Sequence, residues 1–265
     1  MAKRFFKWAF FIALFLSLGL TIALYLTDTT YLIKGVKSTY LRGVSAPEID
    51  DHTYFDIREV PAGKPQALYE HPNKNEKPLT TPLRTTLEST RTVAFVVFHR
   101  DSIVQEHYWE GYSAQSHSNT FSASKSVVTF AVQKAIQDGH IRSWGQKVKE
   151  FLPELGGPYA ESLTLRHLST MTAGIDWDEH YSSPFTITAK SYYTDHLEDV
   201  MLDIEVKDPP GEVYKYQSGS TQLLAMCVMR ATNMSLSDYV SKRLWTPLGA
   251  EESARWQLDK EEGME

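Results

Sequence analysis

The chain has 265 residues, of which 42% are hydrophobic and 23% are charged, so it can bury one large globular core or two small ones. The net charge is −6 and no long basic run occurs beyond the N-terminus, which argues against a nucleic-acid partner. A single cysteine, Cys227, excludes an intrachain disulfide, and its apolar neighbours predict a packing role.

The chain begins with residues 1–7, which include Lys3, Arg4 and Lys7, and continues with an uncharged apolar run at residues 8–26. This run is long enough to span a bilayer. The basic flank predicts that residues 1–7 are cytoplasmic and that everything after the run is exported, to the periplasm or surface of a bacterial cell. A cleaved signal peptide is the alternative. The lack of a clear small-x-small cleavage site favours an uncleaved membrane anchor.

Residues 27–88 are predicted to form a stalk and a loosely structured lead-in, because prolines recur throughout this stretch. Regular structure becomes clear in residues 89–265. Residues 92–98 and 102–109 have the pattern of two strands joined by a tight turn, which predicts a β-hairpin.

Helices are predicted in most of the remaining chain. One is capped by Thr164, and the others cover residues 122–137, 195–204, 218–230 and 237–244. Two strands followed by many helices predict a mixed α/β (α+β) fold, in which a helical region packs on an antiparallel sheet.

The pair Ser122 and Lys125 forms the only Ser-x-x-Lys in the chain. Residues three apart share one face of a helix, so this spacing places a hydroxyl and an amine side by side. A partly desolvated lysine is a candidate base that activates a serine nucleophile. Free backbone N–H groups at a helix N-terminus also favour the negative charge of acyl transfer. Taken alone, a pattern of four common residues favours an ordinary helix start with a solvated lysine.

A second candidate is Tyr216, in a loop between the break at residues 209–211 and an apolar helix. A loop held between rigid elements can aim a catalytic side chain, and a tyrosine near a lysine can serve as a base or proton relay. Packing at a loop edge is the structural alternative for this residue.

With these segments in order, the chain resembles the serine beta-lactamase and penicillin-recognising superfamily. Its closest likeness is to the class C-like branch that contains 6-aminohexanoate-dimer hydrolases and related esterases. Ser122 to Lys125 resembles the first motif of that family, Tyr216 to Ser218 resembles its Tyr-x-Asn/Ser motif, and residues 163–177 resemble the segment that connects them.

The resemblance implies an acyl-enzyme mechanism with Ser122 as nucleophile, Lys125 as its activator and Tyr216 as proton relay to the leaving group. It also implies that Ser218 orients Lys125 or the substrate, and that the Ser122 backbone N–H forms half of an oxyanion hole. In the dimer-hydrolase branch a tyrosine contacts the substrate amide, and Tyr181 is the matching position. A solvated turn is the alternative for the stretch around Tyr181.

The third motif of the family, Lys-Thr-Gly or His-x-Gly, does not occur in this sequence. The resemblance therefore implies that residues 89–265 form a partial domain without its C-terminal strands, and that the chain is truncated and possesses little activity. Asp176, Asp178 and His180 offer metal-type ligands, but no zinc-type His-x-x-x-His accompanies them, so we expect no metal and no cofactor.

Two classes of function remain. The first is an exported, membrane-anchored serine hydrolase that acts on a small-molecule amide or ester, with beta-lactamase or DD-peptidase as further possibilities. The second is a non-catalytic ligand-binding or sensor module that keeps the fold. A Ser-His-Asp hydrolase is disfavoured because no Gly-x-Ser-x-Gly occurs.

Overall fold

The computed structural model describes residues 2–66 and 68–265. It begins with α1 (Ala2–Leu26), a long helix whose described side chains are almost all exposed. Within it, Arg4–Leu26 has the length and composition to cross a membrane, with a mean hydropathy of 2.4 in its most apolar window. These properties fit a transmembrane span or a signal sequence alike.

The segment between residues 27 and 88 has more regular structure than we predicted. It contains α2 (Tyr31–Ser38), β1 (Asp56–Val60) and α3 (Thr81–Ser89). Strand β1 pairs antiparallel with β5 (Ala254–Leu258), a strand that the sequence did not predict. This pairing joins two parts of the chain that are far apart in sequence, so the lead-in is built into the folded domain. Each strand is short, with five residues, and only its last residue is fully buried, so neither has a strong strand signal in the sequence.

The hairpin predicted from the sequence is confirmed as β3 (Ala94–His99) and β4 (Ser102–Tyr108). Its two turn residues, Arg100 and Asp101, have φ values of 49° and 60°, as a type I′ turn requires. A short strand, β2 (Tyr69–Glu70), adds to β4 in parallel. The described strands therefore form two small sheets, one antiparallel and the other mixed.

The core of the domain is formed where α4 (Ser124–Gln137) packs against α8 (Ser218–Thr232). Helix α4 buries Val128, Ala131 and Val132 on one face, at the three- and four-residue spacing of a helix. Helix α8 buries most of its residues, including Cys227, as the sequence predicts for a packed cysteine. Burial raises the pKa of the Cys227 thiol, so this group stays protonated.

The shorter helices surround this pair. They are α5 (Leu165–Ser169), α6 (Ile187–Tyr193), α7 (Leu197–Leu202) and α9 (Leu236–Val240), the last continuing into a π-helical turn at Ser241–Trp245. The predicted cap at Thr164 is confirmed. Its side chain accepts a hydrogen bond from the His167 backbone, and the His167 side chain accepts one from the Thr164 backbone. The architecture is the mixed α/β fold that the sequence predicts.

Candidate active site

Ser122 lies at the entrance to α4, in a single 3₁₀ turn at Phe121–Ala123. The residue before it, Phe121, has a φ of 44°, which a bulky residue adopts only when its surroundings force it. The Phe121 backbone N–H donates to Asn119 Oδ1 at 2.8 Å, and the Asn119 backbone donates to Ile49 O at 2.7 Å. This turn leaves the Ser122 side chain exposed rather than packed inside the helix pair.

Lys125 lies one turn further along the same helix, and its Nζ donates to Ser122 Oγ at 3.0 Å. The three-residue spacing seen in the sequence therefore becomes a direct contact. The same Nζ is 5.4 Å from the centroid of the Tyr216 ring, within the range of a cation–π contact. The three side chains to which we assigned catalytic roles thus lie together.

The loop that carries Tyr216 is held by the residue after it. The side chain of Gln217 is buried and donates to Ile175 O at 2.8 Å, which fastens the loop to the chain after α5. Two residues later, Gly219 packs directly against the ring of Trp177. A Cβ atom at this glycine would lie within 2.9 Å of three ring atoms, so the close approach requires glycine.

Glu179 connects the two substrate-binding candidates, Ser218 and Tyr181. Its Oε1 accepts hydrogen bonds from Ser218 Oγ at 2.7 Å and from the Tyr181 hydroxyl. Its Oε2 accepts from the Ser218 backbone at 2.6 Å and from Trp177 Nε1 at 2.7 Å. One half-buried carboxylate therefore holds Ser218 and Tyr181 in place.

The charge of Glu179 is stabilised by these contacts. Burial by itself raises the pKa of a carboxyl group, but hydrogen bonds from Tyr181, Ser218 and Trp177 outweigh it and lower the pKa of Glu179. In turn, desolvation and the contact with Glu179 raise the pKa of Tyr181 to about 12. Tyr181 is therefore a neutral phenol near neutral pH, although most of its ring is exposed.

These groups open into one large cavity of about 780 Å³. Ser122, Lys125, Tyr181 and Ser218 all line it, whereas Tyr216 contacts Lys125 without lining the cavity. Much of the remaining wall is apolar and comes from α2 and from an aromatic cluster of Phe55, Tyr192 and Tyr193. Its volume lies in the range of about 300–1,000 Å³ that is usual for small-molecule sites.

The acidic stretch beside the cavity makes other contacts. Asp176 pairs with Lys207 at 2.6 Å, and His180 Nε2 is 2.6 Å from Ser182 Oγ. Across residues 2–66 and 68–265, the structure has no group of three histidine, cysteine or acidic side chains arranged to hold a metal ion.

Sequence reasoning missed Glu179 and the wall formed by α2. Glu179 lies two residues before Tyr181, but it has no distinctive spacing to its partners, since Ser218 is far away in sequence. A buried tryptophan two residues earlier was the available signal, because its indole N–H needs an acceptor nearby.

Comparison with known proteins agrees with this geometry. The profile of the Beta-lactamase family matches residues 83–262, and the chain belongs to this family. The matched range includes both the Ser-x-x-Lys pair and the tyrosine loop.

Two relatives have sequences that align over part of the chain. The 6-aminohexanoate-dimer hydrolase of Paenarthrobacter ureafaciens is 26% identical over 185 residues, which cover 66% of this chain and 47% of that protein. Protein flp of Staphylococcus aureus (strain MW2) is 24% identical over 130 residues, which cover 48% of this chain and 26% of that protein. The chain thus spans about half the length of the first relative and a quarter of the second.

Solved structures confirm the fold. A protein from Bacillus anthracis, proposed to be a 6-aminohexanoate-dimer hydrolase, superposes with a TM-score of 0.65 at 25% identity. The match covers 80% of this chain and 60% of that one. A protein from Bacteroides dorei DSM 17855, proposed to be a beta-lactamase, gives a TM-score of 0.51 at 20% identity, covering 64% and 52% of the two chains. The second likeness concerns the fold alone. Together with the family match, these likenesses place the chain in the beta-lactamase superfamily.

Proposed function

We propose that this chain is a serine hydrolase that cleaves an amide or ester bond through an acyl-enzyme on Ser122. The observation that carries the proposal is the 3.0 Å contact between Lys125 Nζ and Ser122 Oγ at the wall of a large cavity. A lysine amine at hydrogen-bond distance from a serine hydroxyl is the arrangement that an activated nucleophile needs.

In the proposed mechanism, Lys125 in its unprotonated form accepts the Ser122 proton while Oγ bonds to the substrate carbonyl carbon. The oxyanion forms next to the Ser122 backbone N–H, which lies at the start of the helical segment. As the tetrahedral intermediate collapses, the bond to the leaving group breaks, and the proton passes through Tyr216 to that group. Water then attacks the ester and releases the acid, which regenerates Ser122.

Ser218 and Tyr181 are assigned to substrate contact. Both line the cavity, and both are oriented by Glu179, so their hydroxyl groups are held rather than free to rotate. Tyr181 keeps its proton near neutral pH because its pKa is about 12, so its hydroxyl suits a contact with a substrate carbonyl or amide. The substrate is a small molecule, and no cofactor takes part in this chemistry.

We further propose that Arg4–Leu26 anchors the chain in a membrane, with the catalytic domain outside the cytoplasm. The length and hydropathy of this helix support an anchor, and the basic residues at its N-terminal end support the orientation. An amide or ester substrate is consistent with the name of the 6-aminohexanoate-dimer hydrolase relative.

The test is covalent labelling of the full-length chain with a fluorophosphonate, which reacts with activated serines. Labelling should disappear in Ser122→Ala and slow by about 100-fold or more in Lys125→Met. Ser126→Ala is the matched control, because Ser126 is an exposed serine of the same helix outside the cavity lining. Labelling that survives in Ser122→Ala contradicts the assignment. No labelling of the parent chain favours the non-catalytic binding module.

A further inference from the structure

Part of the cavity wall comes from α2, the helix that directly follows the membrane-type helix α1. Leu26 ends α1 and Tyr31 begins α2, so a linker of residues 27–30 separates them. Leu32 and Val36 of α2 line the cavity, as does Tyr40 just after it. Six residues from Leu26 to Leu32 span at most about 20 Å even when fully extended. The cavity therefore lies close to the end of α1.

Contacts from the linker and from α2 itself hold α2 in the wall. Asp28 pairs with Lys190 of α6, and the Tyr31 hydroxyl donates to Pro184 O at 3.0 Å. Gly35 lies against Tyr193, where an added Cβ would be 3.3 Å from the ring. These contacts join α2 to the segment that also carries Tyr181, so the wall is part of the domain.

The side chains around the cavity on this side are unusually apolar for an exposed surface. Ile33, Leu41 and Phe185 are 55%, 77% and 70% exposed. Val36 and Phe185 belong to the cavity lining, whereas Ile33 and Leu41 extend the same apolar character along the segment that leaves α1. Exposed apolar residues grouped in this way mark a surface that meets another apolar phase.

The geometry points to an amphiphile with a long apolar chain as the substrate of this site. Its ester or amide group would lie at Ser122, and its chain would lie along Leu32, Val36 and Phe185. Such a molecule would enter from the bilayer in which α1 is embedded, because a linker of only four residues, 27–30, separates that helix from the apolar wall. This inference rests on the proposed serine hydrolase and membrane anchor, and adds the chemical class of the substrate.

The test uses the full chain in phospholipid nanodiscs and the ratio of kcat/KM for 4-nitrophenyl dodecanoate to that for 4-nitrophenyl acetate. Long-chain esters concentrate in any bilayer, so a high ratio alone is insufficient. Val36→Asn places a polar amide in the apolar wall, and Val96→Asn is the matched control. Val96, on β3, has a similar exposure, 38% against 42%, but lies outside the cavity lining.

We expect the ratio to fall about 10-fold in Val36→Asn and to remain at the parent value in Val96→Asn. An equal ratio in Val36→Asn and the parent chain overturns the inference, while turnover of both esters leaves the hydrolase intact. An equal fall in both variants also overturns it, because the effect would not come from the cavity. If neither ester is turned over and fluorophosphonate does not label Ser122, the proposed function itself fails and this inference fails with it.

Discussion

Replacing Glu179 by alanine tests most directly the arrangement that holds Tyr181 and Ser218. The substitution removes the acceptor of four hydrogen bonds, but the four donors differ in how easily they find another partner. The Tyr181 and Ser218 hydroxyl groups can turn to water. The Trp177 indole N–H and the Ser218 backbone N–H are fixed, and Trp177 is only 2% exposed. Each fixed donor left without a partner costs about 1–3 kcal/mol.

Because Glu179 is half-buried, water can enter the space that its side chain leaves, so we take the lower part of this range. Glu179→Ala should therefore reduce the free energy of unfolding by about 2–3 kcal/mol. Glu179→Gln should cost only about 1 kcal/mol, because its amide oxygen can still accept from Trp177 and Ser218, while bonds to a charged acceptor are about twice as strong. Urea denaturation followed by tryptophan fluorescence measures both values.

The pH dependence of the free energy of unfolding is an internal control for the role of the Glu179 carboxylate. The folded-state pKa of Glu179 lies below its ordinary value of 4.5, so the stabilisation from its carboxylate is complete above that pH. It is lost as the pH falls through the lowered folded-state pKa, and Glu179→Gln should lack this component. The reasoning is refuted if Glu179→Ala unfolds within about 0.5 kcal/mol of the parent chain, or if glutamine is as harmful as alanine.

Two further changes probe the elements around the site. Gly219→Ala gains about 1 kcal/mol of helix propensity, but its Cβ would clash with the rigid, buried ring of Trp177. Because such overpacking costs about 1–3 kcal/mol, we expect a lower urea midpoint. An unchanged or higher midpoint contradicts this packing. Desolvation, together with the positive charges of Lys147 and Arg166, lowers the pKa of His167 below its ordinary value of 6.5. As the pH drops below 6.5, the unfolded chain binds a proton that the folded chain does not, so the free energy of unfolding should fall. His167→Gln keeps a side chain that can complete the capping box, and its free energy of unfolding should fall less than that of the parent chain between about pH 7.5 and about pH 5. An equal fall in both chains would assign the pH dependence to other groups.

The features that the sequence predicts are those formed by residues close together in the chain. The Ser122–Lys125 contact follows from helix spacing alone, and the β3–β4 turn follows from the two residues between the strands. The cap at Thr164 is likewise complete within three residues. In each case, the interaction partner is close enough in sequence for a short pattern to specify it.

The parts that the sequence does not predict depend on partners far along the chain. Strands β1 and β5 acquire their pairing from each other, across about two hundred residues of sequence. In the sequence, Glu179 resembles a solvated surface acid, because its partner Ser218 is close only in the folded chain. The same is true of α2, whose composition is unremarkable and whose place is fixed by contacts with Pro184 and Tyr193.

These long-range contacts change how the N-terminal region should be understood. A stalk that only carried a domain away from a membrane would have few contacts with the catalytic machinery. Here, the Asn119 backbone donates to Ile49 O while the Asn119 side chain supports the strained turn before Ser122. The region after α1 therefore supports the turn that holds Ser122, the proposed nucleophile, and also forms part of the cavity wall. It follows that a soluble form of this chain has to keep α2, because a cut after Ile49 and before β1 removes both the apolar wall and the Asn119–Ile49 contact.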